Sequence, residues 1–136
     1  MTQEDKDLLF KDLCGRLPYG VKVEIYNHWR DDYEDETLTL ENYSKLINTF
    51  SVGDIKPYLF PMSSMTKEQE EELKNMYYSL VNGMFYYTER IFDGIPFSKM
   101  KYFPYQIEGF FNKNHIDYRG LIPKGLAKDA TGLNIY

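Results

Sequence analysis

One cysteine, one tryptophan and two histidines stand in a chain of 136 residues, and each scarcity removes a class of chemistry. With Cys14 alone, neither an intramolecular disulfide framework nor a multi-cysteine zinc site can be assembled, which fits a reducing, cytoplasmic setting. His28 and His115 lie far apart, and neither has a partner four residues away, so the helical metal-ligand pair is missing. The glycine-rich phosphate loops of the two common types are absent, as is the G-x-S-x-G elbow of a serine hydrolase. No apolar run approaches the roughly eighteen residues a spanning helix requires, and the opening MTQEDKDLLF is acidic where a signal peptide is basic and then apolar. A protein without metal, cofactor or membrane segment is expected.

Positive charge is also the minority. Sixteen Lys and Arg against twenty-one Asp and Glu give a formal charge of −5, which repels nucleic acid and anionic lipid unless the basic residues share one face. Lys99, Lys101, Lys113, Arg119, Lys124 and Lys128 form a scattered group that reads as solvated surface. Aromatics, by contrast, are in excess: thirteen Tyr and nine Phe accompany the single Trp. At this length one domain over residues 1–136 is expected, with 130–136 a loose tail.

The stretch VGDIKPYLFPMSSMT, residues 52–66, divides the chain. Pro57 and Pro61 remove two backbone donors, which argues against a helix interior and a central strand. With Tyr58, Leu59 and Phe60 between them, they predict a stiff, buried structural strap across the core. Before it, Thr2 and Asp5 open a helix over 3–14, with Leu9, Phe10, Leu13 and Cys14 at helical spacing and Gly15 as its stop. Cys14 on that stripe is a small hydrophobe and not a nucleophile. Val21, Val23 and Ile25 alternate with polar residues and predict a half-buried strand. His28 to Glu36, HWRDDYEDE, lacks an apolar period and reads as an exposed hairpin loop. Its carboxylates lack the glycine and closing glutamate of a calcium-binding EF-hand loop. Strand character resumes at 37–40. For 41–50, Tyr43, Leu46, Ile47 and Phe50 suit helix or bulged strand equally; strand is preferred because the first strand needs a hairpin partner.

After the strap, Thr66 and Gln69 have capping-box spacing, and Leu73, Met76, Tyr77, Leu80 and Val81 give a helix over 67–82. Its early glutamates sit where the helix dipole tolerates them and read as solvated, not as general acids. Residues 84–92 fit strand or helix. Pro104, Ile107, Phe110 and Phe111 predict a short helix over 104–113. Gly120, Pro123 and Gly125 break up the remainder into turns with at most one short helix around 123–129. The fold class expected is α+β: a small antiparallel sheet or partial barrel from residues 20–60, packed by three helices.

Three phrases, DLCGRLPYGVKV, IKPYLFPMSSMT and NHIDYRGLIPKGLA, resemble in wording and order a family of small uncharacterised proteins of Bacteroidales bacteria. Its members are found in gut species and in stretches that look like prophage or mobile elements. The resemblance implies that setting and carries no assigned activity. A second histidine beside His115 belongs to that pattern, and here the place holds Asn114.

His115, Asp117 and Ser63 or Ser64 could be drawn as a triad, but any chain of this length offers such combinations, and Asp117 more simply caps a turn while Arg119 pairs with it or with helix-end carbonyls. No catalytic or metal residue is assigned. The aromatics suggest instead a candidate interaction surface at Tyr86, Tyr87, Tyr102, Phe103 and Tyr105, taking another protein or a second copy. The leading expectation is a non-catalytic accessory or protein-interaction module. A single-stranded nucleic-acid binder, stacking bases on aromatics beside the late lysines, is the alternative, and a hydrolase the third.

Overall fold

A computed structural model of the chain describes residues 1–81 and 105–136, without the side chains of 77–81 and 105. The first helix, α1 (Gln3–Arg16), starts in a capping box: the Thr2 hydroxyl accepts from the Asp5 N–H, and the Asp5 carboxylate accepts from the Thr2 N–H. It runs two residues past the expected end, because Gly15 is not a stop. A Cβ there would meet Asn112 Nδ2 at 3.0 Å, so the glycine serves a close approach between helices. The turn falls instead at Leu17–Tyr19 and Gly20, whose φ of +72° is open to glycine.

β1 (Val21–Asn27) buries every second residue, as its alternation predicts. It pairs antiparallel with β2 (Asp32–Leu38), from Val21 opposite Leu38 to Asn27 opposite Asp32. The acidic segment is therefore a strand and not a loop; only residues 28–31 turn. An edge strand takes its hydrogen bonds from β1 and needs no apolar face of its own. With β2 supplying the hairpin, 41–50 is freed from that role: Tyr43–Thr49 is a helix, α2, with Leu46 buried, where a strand was expected.

The strap also departs from expectation. Ile55–Pro61 is β3, a central strand in the order β2-β1-β3-β4, where β4 is Ile116–Asp117, with β5 (Lys128–Asp129) also pairing β3. Two prolines are tolerated there because of where they fall. Pro57 stands opposite Val23, the last pair with β1; Tyr58 and Leu59 then pair β5, Phe60 and Pro61 pair β4, and Pro61 is the final residue of the strand. Pro57 and Leu59 face the core, while Tyr58 and Phe60 are only half-buried on the other side.

Helix α3 (Lys67–Val81) carries the predicted capping box, Thr66 and Gln69 each accepting from the other's N–H. Helix α4 (Tyr105–Lys113) buries Ile107, Phe110 and Phe111. It ends where Asn114 Nδ2 donates to the Phe110 carbonyl and His115 turns at φ +58°. Two short strands, β4 (Ile116–Asp117) and β5 (Lys128–Asp129), run parallel to β3, so residues near 123–129 form turns and a strand and not a helix. The chain is α+β, with a mixed five-stranded sheet that does not close into a barrel and four helices among the described residues.

One core cluster joins α1, β1 and β3, with Leu9, Leu13, Val23, Ile25 and Leu59 fully buried; a second joins α3 and α4 through Leu73, Ile107 and Phe111. The carboxy-terminal residues, expected to be loose, make defined contacts. Ala130 is buried and donates to the Leu59 carbonyl at 2.8 Å. The Tyr136 hydroxyl accepts from the Lys22 N–H and donates to the Tyr58 carbonyl, both at 2.9 Å, and so links β1 to β3 beyond the last pair of their ladder.

Candidate functional site

Alternation along β1 and β3 sends one set of side chains to the core and the other to an outer face. In register on that face stand Lys22 with Thr37, Glu24 with Asp35 and Tyr26 with Tyr33, with Tyr58 beside them on β3. Tyr58 is the centre of its polar network: the hydroxyl lies 3.0 Å from Asp35 and 3.3 Å from Glu24. Lys128 reaches across from β5 to Glu24 at 2.8 Å, its ammonium 5.9 Å from the centre of the Tyr58 ring. Burial first, then the hydrogen bond to Asp35 and the charge of Glu24, push the Tyr58 pKa well above that of an ordinary phenol, so it stays a donor. A concavity of 510 Å³ opens beside this network, lined by Lys22, Asp35, Glu36, Thr37 and Tyr58, with Leu133 and Ile135 from the carboxy-terminal segment.

Among the described strands, β2 lies at the edge of the sheet. Asp32, Glu34 and Glu36 stand opposite Asn27, Ile25 and Val23, on the side that β1 turns to the core, while Asp35 faces the other way. Both faces of the strand are thus acidic. Arg30 approaches Glu34 only to 3.9 Å, and Asp31 accepts from the Tyr26 hydroxyl. At the turn Trp29 is 77% exposed, edge-on to Phe50 with ring centroids 6.2 Å apart, and Tyr33 on the strand is 66% exposed. Sequence reasoning passed over both; the signal was there, since an indole inside a polar, acidic run has no core to enter.

The residues that could be drawn as a triad are not brought together. The Ser64 hydroxyl donates to the Pro61 carbonyl at 2.7 Å, and the Asp117 carboxylate accepts from the Leu121 and Ile122 N–H groups at 2.8 and 2.9 Å, capping a turn as its sequence context suggests. His115 stacks on Tyr136, and burial, aided by the Arg16 charge, pushes its pKa down to about 4. Among the described residues no hydrogen bond joins these groups to one another.

Charge is instead concentrated in a buried brace. Asp12 and Arg16, both without solvent exposure, meet through two hydrogen bonds of 2.8 and 3.0 Å. Arg16 also donates to the Ile116 carbonyl at 2.8 Å, tying α1 to the chain after α4. Arg119 pairs with Asp12 at 3.3 Å, not with Asp117, and donates to the Tyr118 hydroxyl. The i, i+4 spacing of Asp12 and Arg16 was the available sign of this pair.

Of the expected interaction surface, Tyr86, Tyr87, Tyr102 and Phe103 lie outside the described residues, and Tyr105 opens α4. Of the basic group, Lys99 and Lys101 lie outside them as well, while Arg119 and Lys128 are engaged by Asp12 and Glu24. Cys14 is half-buried. Among the described residues no cluster of His, Cys, Asp and Glu could hold a metal ion, and no helix is long and apolar enough to cross a membrane. No protein family, curated protein or solved structure matches the chain.

Proposed function

We propose that the protein is a non-catalytic interaction module that takes a basic, extended segment of another protein onto the edge of β2. The observation that carries this reading is the edge itself: a seven-residue strand with carboxylates on both faces, exposed Tyr33 on it and exposed Trp29 at the turn before it. A sheet edge offers main-chain donors and acceptors to an incoming strand, and here the side chains select for positive charge. Uncharged or acidic strands are turned away by the same carboxylates. Aromatic rings at the rim supply contact area at low entropic cost. A cytoplasmic setting and a prophage or mobile-element context, implied by the cysteine usage and the family resemblance, belong to the same proposal. A nucleic-acid role draws less support, since Arg119 and Lys128 are already neutralised by internal carboxylates.

Trp29 is the sole tryptophan and a built-in reporter. Titration with a lysine-rich, strand-forming peptide is expected to change its emission saturably, and Glu34→Gln with Glu36→Gln is expected to weaken the response about tenfold. A flat titration with such peptides, or saturable binding of labelled single-stranded DNA in its place, overturns the proposal.

A further inference from the structure

We infer that the concavity beside β2 receives one alkyl cation, the guanidinium or ammonium head of an arginine or lysine side chain carried by the segment docked on that strand. This inference rests on the docking reading above and adds the determinant of its specificity.

A residue placed opposite Asp35 on an added strand shares its face, with Cβ atoms about 5 Å apart, so its side chain rises from the outer face of the sheet beside the opening. The opening has room for such a side chain, at 510 Å³. Its chemistry is divided between two walls. On the strand side stand Asp35 and Glu36, neighbours whose side chains leave opposite faces and so bracket the edge. Asp35 is oriented by the Tyr58 hydroxyl at 3.0 Å, while the Glu36 carboxylate makes no hydrogen bond or ion pair with any described residue. On the other side, Leu133 and Ile135 present aliphatic surface suited to a methylene stem. That wall is held in place by the next residue, Tyr136, through its links to Lys22 and Tyr58.

Lys22 sets the stoichiometry. It is the one cation of the lining among the described residues, and Asp35, which shares the outer face with the opening, makes no ion pair with any of them, so an incoming cationic head is matched to Asp35 and not to Glu36 on the opposite face. One cationic head pairs with Asp35; a second would meet Lys22. A free cation could satisfy the same chemistry, and a bound strand differs from it in placing the head by main-chain pairing.

Two measurements test the inference. In the first, strand-forming peptides with arginine or norleucine at one outer-face position are compared on the wild-type protein and on Asp35→Asn, which keeps the contact with Tyr58 and removes the charge. Arginine is expected to bind about tenfold tighter than norleucine on the wild type, with the preference lost in Asp35→Asn and reduced in Leu133→Ser. In the second, N-acetyl-arginine methylamide is titrated while Leu133 methyl and Tyr58 ring resonances are followed by NMR; saturable shifts in the wild type and none in Asp35→Asn are expected. Peptides that bind without regard to arginine or norleucine overturn the pocket and leave edge docking standing. Shifts with the arginine derivative but no peptide binding support the pocket and overturn edge docking, and silence in both experiments overturns the two together.

Discussion

The imidazole of His115 lies flat on the phenol of Tyr136, ring centroids 3.6 Å apart and planes 12° from parallel. That stacking, with its Nδ1 buried without a hydrogen-bond partner among the described residues, keeps the ring neutral: burial and the nearby Arg16 lower its pKa from 6.5 to about 4. Between those values the unfolded chain binds the proton and the folded chain does not, so stability rises with pH across the window. The contribution is complete above pH 6.5 and is lost as pH falls toward about 4, on the order of 2 kcal/mol once partial exposure is discounted. Urea midpoints at pH 7.5 and 4.5 are expected to differ more for the wild type than for His115→Asn, which tolerates the positive φ and does not titrate. Equal pH slopes in the two proteins contradict this account.

Asp12 faces two cations, Arg16 and Arg119, in a site from which water is excluded. Removing the carboxylate charge leaves both guanidiniums without a counter-ion, and breaking a buried pair in this way costs about 3–5 kcal/mol. Arg119→Met should cost much less, because it leaves Asp12 and Arg16 as a neutral pair and the Arg119 side chain already has some solvent access. Asp12→Asn is therefore expected to be the more damaging substitution in equilibrium urea unfolding. The reverse order would show that packing of Arg119 on Tyr118 outweighs the charge balance.

How much of this was legible depended on whether a residue's fate was decided locally. The alternation of Val21, Val23 and Ile25 and the capping box at Thr66 and Gln69 were readable, because each is satisfied by neighbours in sequence. β2 was not: Asp32 to Glu36 carries no apolar period, and its strand geometry comes from β1. The same gap misplaced α2, since a hairpin partner was sought at 41–50 only because the true partner was hidden. Pro57 misled for a related reason, as a missing donor excludes a central strand only where both neighbours pair along its full length. Arg16 lies beyond the expected end of the first helix, and nothing within a few positions announces that the Ile116 carbonyl will accept from it. For the candidate site, composition pointed to aromatics in the second half, most of which lie outside the described residues, and passed over Trp29 beside the acidic edge and Tyr33 on it.

Gly15 lies inside α1, where alanine would ordinarily stabilise a helix by about 1 kcal/mol. Here a Cβ would stand 3.0 Å from Asn112 Nδ2, and Asn112 is itself buried and confined. Gly15→Ala is therefore expected to destabilise by about 1 kcal/mol in the wild type and to stabilise by a similar amount in an Asn112→Ala background. A double-mutant cycle by thermal or urea unfolding measures the difference. Additive effects would mean that Asn112 moves aside without cost.

The carboxylates of β2 also bear on whether the protein meets its own copies. Two β2 edges paired antiparallel would bring Asp32, Glu34, Glu36 and Asp35 against the same residues of the second copy, with like charges directly opposed. Charged residues on an edge, including ones pointing toward the core side, are a known protection against such pairing. Replacing Asp32, Glu34 and Glu36 by Thr keeps strand propensity and removes the repulsion from one face, so it is expected to promote dimers or larger species. Sedimentation velocity at matched concentrations provides the measurement, with the wild type sedimenting more slowly than the triple variant. Raising the salt concentration should shift the wild type part of the way toward the variant, since screening acts on exposed charges within about 10 Å at 0.1 M. A triple variant that sediments like the wild type at every salt concentration would show that the acidic residues are not what keeps this edge from self-pairing.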